Sequence, residues 1–352
     1  LKRPDLGGHL LQRRRGIIVE LRDEIGRTAF GEVAPLVGFS RESLDDAEHQ
    51  LTRLRFSVTD AAIPDDLEEL SGGFERWLGA YDLSPSVRFG FEAATLSLIA
   101  ARRGVQLCRL ISDHPLDKIT VNALLTGEQS EILERAGQLR NEGWRAFKLK
   151  VGRRAVDDDI RLTREVRQRI GPDAILRLDA NQRYSHSEFA QFAEAVRECD
   201  IDYIEEPLSS LADLQVLLEA SETPLPLALD ETLQIMKPED LHRCHKIKAI
   251  VLKPTMLGLE RAAQFARVAI GCGVETVISS SFESGVGLVT LAQVAAGINA
   301  TDIPVGLDTS GWFERDLLSS ALPIAGGVVV INKLPDVAKE IDHEMLQELG
   351  EV

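Results

Sequence analysis

The chain has 352 residues, 44% of them hydrophobic, enough for one large α/β barrel or two ordinary domains around a sizeable core. Its 40 basic residues stand against 56 acidic ones, a formal charge of −16, which argues against nucleic acid or an anionic membrane as partner and obliges any anionic substrate to meet locally concentrated positive charge. No apolar run reaches the roughly 18 residues of a membrane span, and Cys108, Cys199, Cys244 and Cys272 are scattered without a Cys-x-x-Cys, the pattern of reduced thiols in a cytoplasmic protein.

Leu10-Leu11 precedes Arg13-Arg14-Arg15, the reverse of a signal peptide's order, and the arginines read as a solvated lead-in to a strand. Residues 16–21 and 28–32, joined across a turn containing Gly26, predict a β-hairpin. Helical periodicity follows over 43–54, 65–78 and 85–103, giving an α+β segment of somewhat over 100 residues. After about Asp117 the rhythm becomes strand then helix, with strands predicted at 119–125, 146–151, 174–179, 202–205, 226–230, 249–253, 276–280 and 303–308 and helices such as 130–141 and 157–170 between them. That alternation predicts a parallel sheet closed into a barrel. No Gly-x-Gly-x-x-Gly follows the first strand, which weakens a doubly wound alternative. The apolar run 327–332 comes after the eighth strand and is expected to rejoin the N-terminal sheet.

The chemistry is concentrated at strand ends. In Phe147-Lys148-Leu149-Lys150-Val151 both lysines share one face, because alternate strand residues point the same way, and two ammonium groups buried together need anions nearby. Four later strands end in Asp179, Glu205, Asp230 and Lys253, at intervals of 29, 26, 25 and 23 residues from Lys150 onward. In a (β/α)₈ barrel these positions meet at the C-terminal mouth, with Leu149, Leu178, Ile204, Leu229 and Leu252 turned outward to the helices. Asp179, Glu205 and Asp230 are hard oxygen donors suited to Mg²⁺. Taken singly, Asp179-Ala-Asn181 reads as a helix cap, Glu205-Glu206-Pro207 as a solvated strand exit, Asp230-Glu231-Thr232 as a capping motif and Lys253-Pro254 as a surface turn. Five strand-end charges in register are hard to explain as caps. No histidine lies at a predicted strand end, which disfavours a histidine dyad or a zinc site. The loop Ser279-Ser-Ser-Phe-Glu-Ser-Gly285 either presents backbone N–H groups to a carboxylate or is simply flexible, and both readings stay open.

On these residues the chain resembles the enolase superfamily, in its muconate-lactonising-enzyme-like subgroup, and within it the o-succinylbenzoate synthase family, from about residue 16 to residue 308. The resemblance implies an α/β fold: a (β/α)₇β TIM-like barrel (117–314) under an α+β capping domain (1–116), with 315–352 returning to the cap. It implies Asp179, Glu205 and Asp230 as ligands of Mg²⁺, with Mn²⁺ as a substitute, Lys150 as catalytic base and Lys253 on the opposite face. The narrower likeness rests on Arg177-Leu-Asp-Ala-Asn181, Ser279-Ser-Ser-Phe-Glu-Ser284, Gly306-Leu-Asp-Thr309 and Gly31-Glu-Val-Ala-Pro-Leu-Val-Gly-Phe-Ser40. From these segments come the candidate substrate-binding residues Arg177, Ser279, Ser280, Ser281, Glu283, Ser284 and Phe39, the last as an exposed aromatic on a cap loop that closes over the site. Phe282 stands where an aliphatic residue is expected, and the Asp-x-Asp of dipeptide epimerases is missing near the eighth strand.

The reaction so implied is dehydration of 2-succinyl-6-hydroxy-2,4-cyclohexadiene-1-carboxylate in menaquinone or phylloquinone biosynthesis. Lys150 would be lowered in pKa by Lys148 and by confinement, Lys148 would assist it electrostatically, and Lys253 would stabilise charge. The expected partner is a small-molecule carboxylate, and oligomeric state is not legible. An N-succinylamino-acid racemase or related epimerase is the alternative, and a non-catalytic barrel comes last because it needs no lysine pair beside three carboxylates.

Overall fold

The N-terminal sheet is the predicted hairpin, Ile17–Arg22 paired antiparallel with Thr28–Val33. The computed structural model describes residues 5–6, 9–10, 13–219, 223–244, 246–299 and 301–349; Leu11, part of the pair ahead of the arginines, lies outside them. Three helical segments follow the hairpin, and the third, Pro85–Arg103, packs on it. Leu44–Val58 starts at a Ser43/Asp46 capping box, and Pro85–Arg103 runs as predicted to Gly104, whose φ of +68° ends it. The helix expected over 65–78 is broken. A 3₁₀ turn at Leu67–Glu69 is followed by Leu70 and Gly72 at φ +50° and +103°, and a new helix starts at Gly73.

The barrel is built from seven parallel strands among the described residues: Ala123–Leu125, Ala146–Lys150, Ile175–Asp179, Ile201–Glu205, Leu227–Leu229, Ile247–Leu252 and Glu275–Ile278, paired in that order. The eighth strand expected at 303–308 shrinks to two parallel bridges, Val121 with Val305 and Ser279 with Gly306. Pro304 has no N–H to add to a ladder, and Gly306 sits so close to Ser279 that a Cβ there would lie 2.4 Å from its Oγ. Those bridges still close the sheet: Asn122 N–H donates to Val305 O and Gly306 N–H to Ile278 O, each at 2.9 Å.

Two further expectations are corrected. The run 119–125 is two elements, because Lys118–Thr120 pairs antiparallel with Val328–Val330 beside the barrel and only Ala123–Leu125 enters it. Val328–Val330 therefore does not rejoin the N-terminal hairpin; its other neighbour is Ile324–Ala325. The C-terminal segment reaches the cap by other means, packing the short helix Val337–Glu340 against Thr28–Val33.

Cap and barrel are joined by buried carboxylates that exchange helix N-termini. Glu32 of the cap accepts from Ser284 N–H and Oγ and from Gly287 N–H, at the start of barrel helix Gly285–Ile298. Glu260 of the barrel accepts from Gly72, Phe74 and Glu75 N–H, at the start of cap helix Gly73–Leu78. Each satisfies orphan donors that burial would otherwise leave costly. The cap's own packing is tight enough to need glycine: a Cβ at Gly31 would lie 1.8 Å from Gly90 O on helix Pro85–Arg103.

Gly31→Ala should therefore cost about 1–3 kcal/mol or more in chemical denaturation, since hairpin and helix must separate. Gly271→Ala, where a Cβ meets nothing within 4 Å, should leave the midpoint unchanged or higher. Equal midpoints for both variants would contradict this packing.

Candidate active site

Strand parity does place the charged residues together. Lys150 lies opposite Asp179, and Asp179 opposite Glu205, in adjacent strands of the parallel ladder. Leu149, Leu178, Ile204, Leu229 and Leu252 face the outer helices in the main core, whereas Tyr203, Ala228, Ala249, Val251 and Val277 fill the barrel interior below the mouth. One oxygen from each of Asp179, Glu205 and Asp230 lies within 4.8 Å of the others.

Three lysines compensate the three carboxylates. Lys148 Nζ lies 3.2 Å from Glu205 Oε2 and 3.4 Å from Asp179 Oδ2. Lys150 Nζ donates to Asp179 Oδ2 at 2.5 Å and to Asn181 Oδ1 at 2.8 Å. Lys253 Nζ donates to Asp230 Oδ2 from the sixth barrel strand's end, across the mouth.

Environment separates these lysines. Burial lowers the Lys150 ammonium, Lys148 and Lys253 push it further down, and Asp179 only partly opposes them. Against the same burial, Glu205, Asp179 and Asp230 raise Lys148, and Asp230 and Glu231 raise Lys253. Among the carboxylates, burial is overcome at Asp179 by Lys150 and Lys148, which hold it well below the usual range. At Glu205, burial and the neighbouring Asp179 and Asp230 outweigh Lys148 and push the group up to about 8.

These residues suit a divalent cation on their own chemistry. The donors are hard oxygens, the positions converge, and Glu205 Oε1 is buried with no hydrogen-bond partner.

The remaining candidates divide. Ser279, Ser280, Ser281 and Phe39 line the cavity above the triad, together with Leu36, Leu124, Met256 and Phe282. Phe39 is half-buried rather than exposed, packed on the cluster formed by those four residues, so Phe282 shapes the cavity wall itself. Arg177 does not reach the cavity. Its guanidinium lies beneath the site, stacked 4.7 Å over the Tyr203 ring and bonded to Asp202, Asn122 and Pro304 O, which is at odds with its expected contact to substrate. Glu283 is turned inward to Thr255, Ser280 and Ser281 N–H, and Ser284 caps its helix against Glu32, so neither lines the cavity.

The backbone of this loop is likewise spent internally: the N–H groups of Ser279, Ser280, Ser281, Phe282 and Ser284 donate to Leu252 O, Gly306 O, Glu283, Ser280 Oγ and Glu32. Of the hydroxyls, Ser280 Oγ is bonded to Glu283 and Thr309 and Ser279 Oγ lies 3.4 Å from Gly306 O, whereas Ser281 Oγ is buried without a partner.

Several residues escaped the sequence reading. Asn181, read there as part of a cap, bridges Lys150 to Glu231, whose Oε1 accepts from Asn181 Nδ2 at 2.8 Å. Burial and Asp230 push Glu231 up to about 7. Glu206 is no solvated exit: fully buried, it accepts from Asp230 N–H and Thr232 N–H and so fixes the turn that carries Asp230. Arg153 lines the cavity from the loop after Lys150, where strand parity gives no guide. Arg14, from the run read as solvated, ties Ala34 O and Pro35 O of the cap to Ser281 O and Phe282 O.

Comparison with known proteins bears on the whole arrangement. A family profile described as Enolase C-terminal domain-like matches residues 131–345, and one described as MenC, N-terminal domain matches residues 6–98. The o-succinylbenzoate synthase of Vibrio cholerae serotype O1 (strain M66-2) is 33% identical over 89% of this chain and 88% of its own. Protein PHYLLO, chloroplastic, of Arabidopsis thaliana is 34% identical over 88% of this chain, which spans only 20% of that longer protein. The solved N-succinyl Arg/Lys racemase from Bacillus cereus ATCC 14579 superposes with a TM-score of 0.81 over 94% of this chain and 89% of its own, at 22% identity, which shows the shared fold alone.

The raised Glu205 has a measurable consequence. Below about 8 its carboxyl holds a proton that a bound cation must displace. Mg²⁺ affinity should therefore climb from about pH 6 to 8 and level off above, with about one proton released per ion near pH 7 in calorimetry across buffers. Asp230→Asn should weaken binding without unfolding the barrel. PH-independent affinity with no proton release would refute the assignment.

Proposed function

The chain belongs to the o-succinylbenzoate synthase family of the enolase superfamily, and on that premise we propose that it dehydrates 2-succinyl-6-hydroxy-2,4-cyclohexadiene-1-carboxylate to 2-succinylbenzoate in menaquinone or phylloquinone biosynthesis. The observation that carries the reading is the pair of lysines, Lys150 and Lys253, on opposite sides of one cavity with three convergent carboxylates between them. The roles of Asp179, Glu205 and Asp230 as Mg²⁺ ligands, with Mn²⁺ as a substitute, belong to this proposal. So do the cytoplasm as its compartment and the division into cap (1–116 with 315–352) and barrel (117–314).

When bound, the cation supplies positive charge and open coordination positions for a substrate carboxylate. Lys150, which burial lowers where Lys148 and Lys253 are raised, takes the proton next to that carboxylate. Asn181 Oδ1 and Asp179 hold its Nζ in place before the transfer. Lys253 stays protonated because Asp230 and Glu231 raise it, so it faces the developing enediolate as a fixed positive charge. The electron pair of the enediolate then expels the β-hydroxyl as Lys150 returns its proton to that oxygen. Water leaves, the C–O bond is broken and the ring becomes aromatic. One base on one face suffices for both transfers, while Leu36, Phe39, Leu124, Met256 and Phe282 exclude bulk water above it.

Racemisation would use the same residues differently, since a proton removed on one face must be delivered on the other and both lysines become obligatory acid–base groups. The purified protein should turn over the cyclohexadiene carboxylate efficiently and exchange deuterium from D₂O into N-succinylamino acids slowly or not at all. Lys150→Ala should abolish dehydration, and Lys253→Ala should lose several kcal/mol of transition-state stabilisation, about 10²- to 10³-fold in kcat. Fast exchange into both enantiomers with poor dehydration would overturn the synthase reading and leave the lysines and the triad intact.

A further inference from the structure

The cavity has two unlike arcs. Barrel strands two to six contribute Lys150, Asn181, Asp230, Glu231 and Lys253, the groups assigned above to the reacting end of the substrate. The seventh strand, the eighth segment and the first strand contribute hydroxyls instead: Ser279, Ser280, Ser281, Thr309 and Thr126. Asp308 on this side is already committed, its carboxylate accepting from Leu124 N–H at 2.9 Å and from Arg135 at 2.6 Å.

The proposed substrate is a dianion. Its ring carboxylate sits beside the proton that Lys150 removes and so belongs with the first arc, which leaves the carboxylate at the end of the succinyl chain directed at the second. Resting on that reading of the reaction, we propose that Arg153 determines specificity by binding this distal carboxylate.

Arg153 lines the cavity from the loop after the second strand, next to the first-strand end of the hydroxyl arc. Its side chain leans that way, with Nη1 3.4 Å from Thr126 Oγ1 after the first strand. A guanidinium offers a planar fork matched to a carboxylate, and the neighbouring hydroxyl can complete the carboxylate's hydrogen bonds.

The loop that presents it is held rigid from below. Val151 N–H donates to Asp179 O, and Gly152 N–H donates to Asp159 Oδ2 at 2.7 Å and to Tyr184 Oη at 3.1 Å. Gly152 takes φ +74°, and a Cβ there would lie 2.8 Å from Arg183 Cβ, so this turn needs glycine. The next residue, Arg154, is directed to Gly127 O and Asp159. Arg153 lines the cavity beside it. A recognition group preordered in this way loses little entropy on binding.

The test compares 2-succinylbenzoate with 2-butyrylbenzoate, in which a methyl group replaces the distal carboxylate, by calorimetry on the Mg²⁺-loaded protein. The wild type should prefer the diacid on the order of 10- to 100-fold, the range for hydrogen bonds to a charged group. Arg153→Gln should lose that preference while binding 2-butyrylbenzoate as the wild type does, and Arg153→Lys should keep part of it. In turnover, Arg153→Gln should raise KM far more than it lowers kcat. A wild-type preference retained in Arg153→Gln would overturn the inference while leaving the dehydratase reading standing. Failure of the wild type to dehydrate the diacid or to bind either benzoate would instead bring down the reading of the reaction, and this inference with it.

Discussion

The site depends on burying three carboxylates and three ammonium groups together at the mouth of a barrel. Neither set is tolerable alone: isolated charges removed from water cost many kcal/mol, and like charges this close raise the cost further. Interleaving resolves both problems, since Lys148 spans Glu205 and Asp179, Lys150 binds Asp179 and Lys253 binds Asp230. The balance is incomplete at one place. Glu205 keeps a buried oxygen without a partner and a carboxyl raised to about 8, a demand for positive charge that the proposed divalent cation would meet.

Such a cluster is only as well defined as the loops around it, and those loops are tied to the cap. Ser284 and Gly287 at the end of the serine loop are gripped by Glu32, while Arg14 binds the carbonyls of Ser281 and Phe282 on one side and of Ala34 and Pro35 on the other. The cap segment carrying Phe39 and the barrel segment carrying Ser281 are therefore one mechanical unit. Glu260 repeats the arrangement in the opposite direction on helix Gly73–Leu78. Carboxylates at helix N-termini suit this purpose, because they satisfy several N–H groups at once and complement the helix dipole.

How much of this was legible follows from what local pattern can encode. Period-two alternation placed Lys148 and Lys150 on one face, and strand ends located Asp179, Glu205, Asp230 and Lys253, because barrel geometry converts strand parity directly into position. Parity fails as soon as a strand ends. Arg153, Glu231 and the serine loop lie past that point, where orientation is set by turns such as Gly152 and by distant acceptors such as Asp159 and Glu206. The split of 119–125 between two sheets was illegible for a related reason, since the run is apolar enough throughout to read as one strand and only the partner strands divide it. Arg14 was read as solvated, and no partner was read for Glu32, because their barrel partners Phe282 and Ser284 lie more than 250 residues away in sequence.

Two lysines two residues apart on one strand could still exchange roles, and their surroundings decide against it. Lys148 lies deeper, 7% exposed and between two carboxylates, so its proton is held more firmly than in water and is unavailable for transfer to or from carbon. Lys150 is one step nearer the cavity, where a neutral amide, Asn181, replaces the second carboxylate and Lys148 itself becomes a repelling neighbour. The firm charge on the first lysine thus helps to loosen the proton of the second. Asn181 matters here for what it lacks: an aspartate at that position would add a negative charge beside Lys150 and raise it, whereas the amide keeps the hydrogen bond without the charge. Its orientation is set in turn by Glu231, whose Oε1 accepts a hydrogen bond from Nδ2 and leaves Oδ1 for Lys150. On the proposed mechanism one strand therefore supplies both an inert cation and a usable base, the difference arising from the side chains around the two lysines rather than from the lysines themselves.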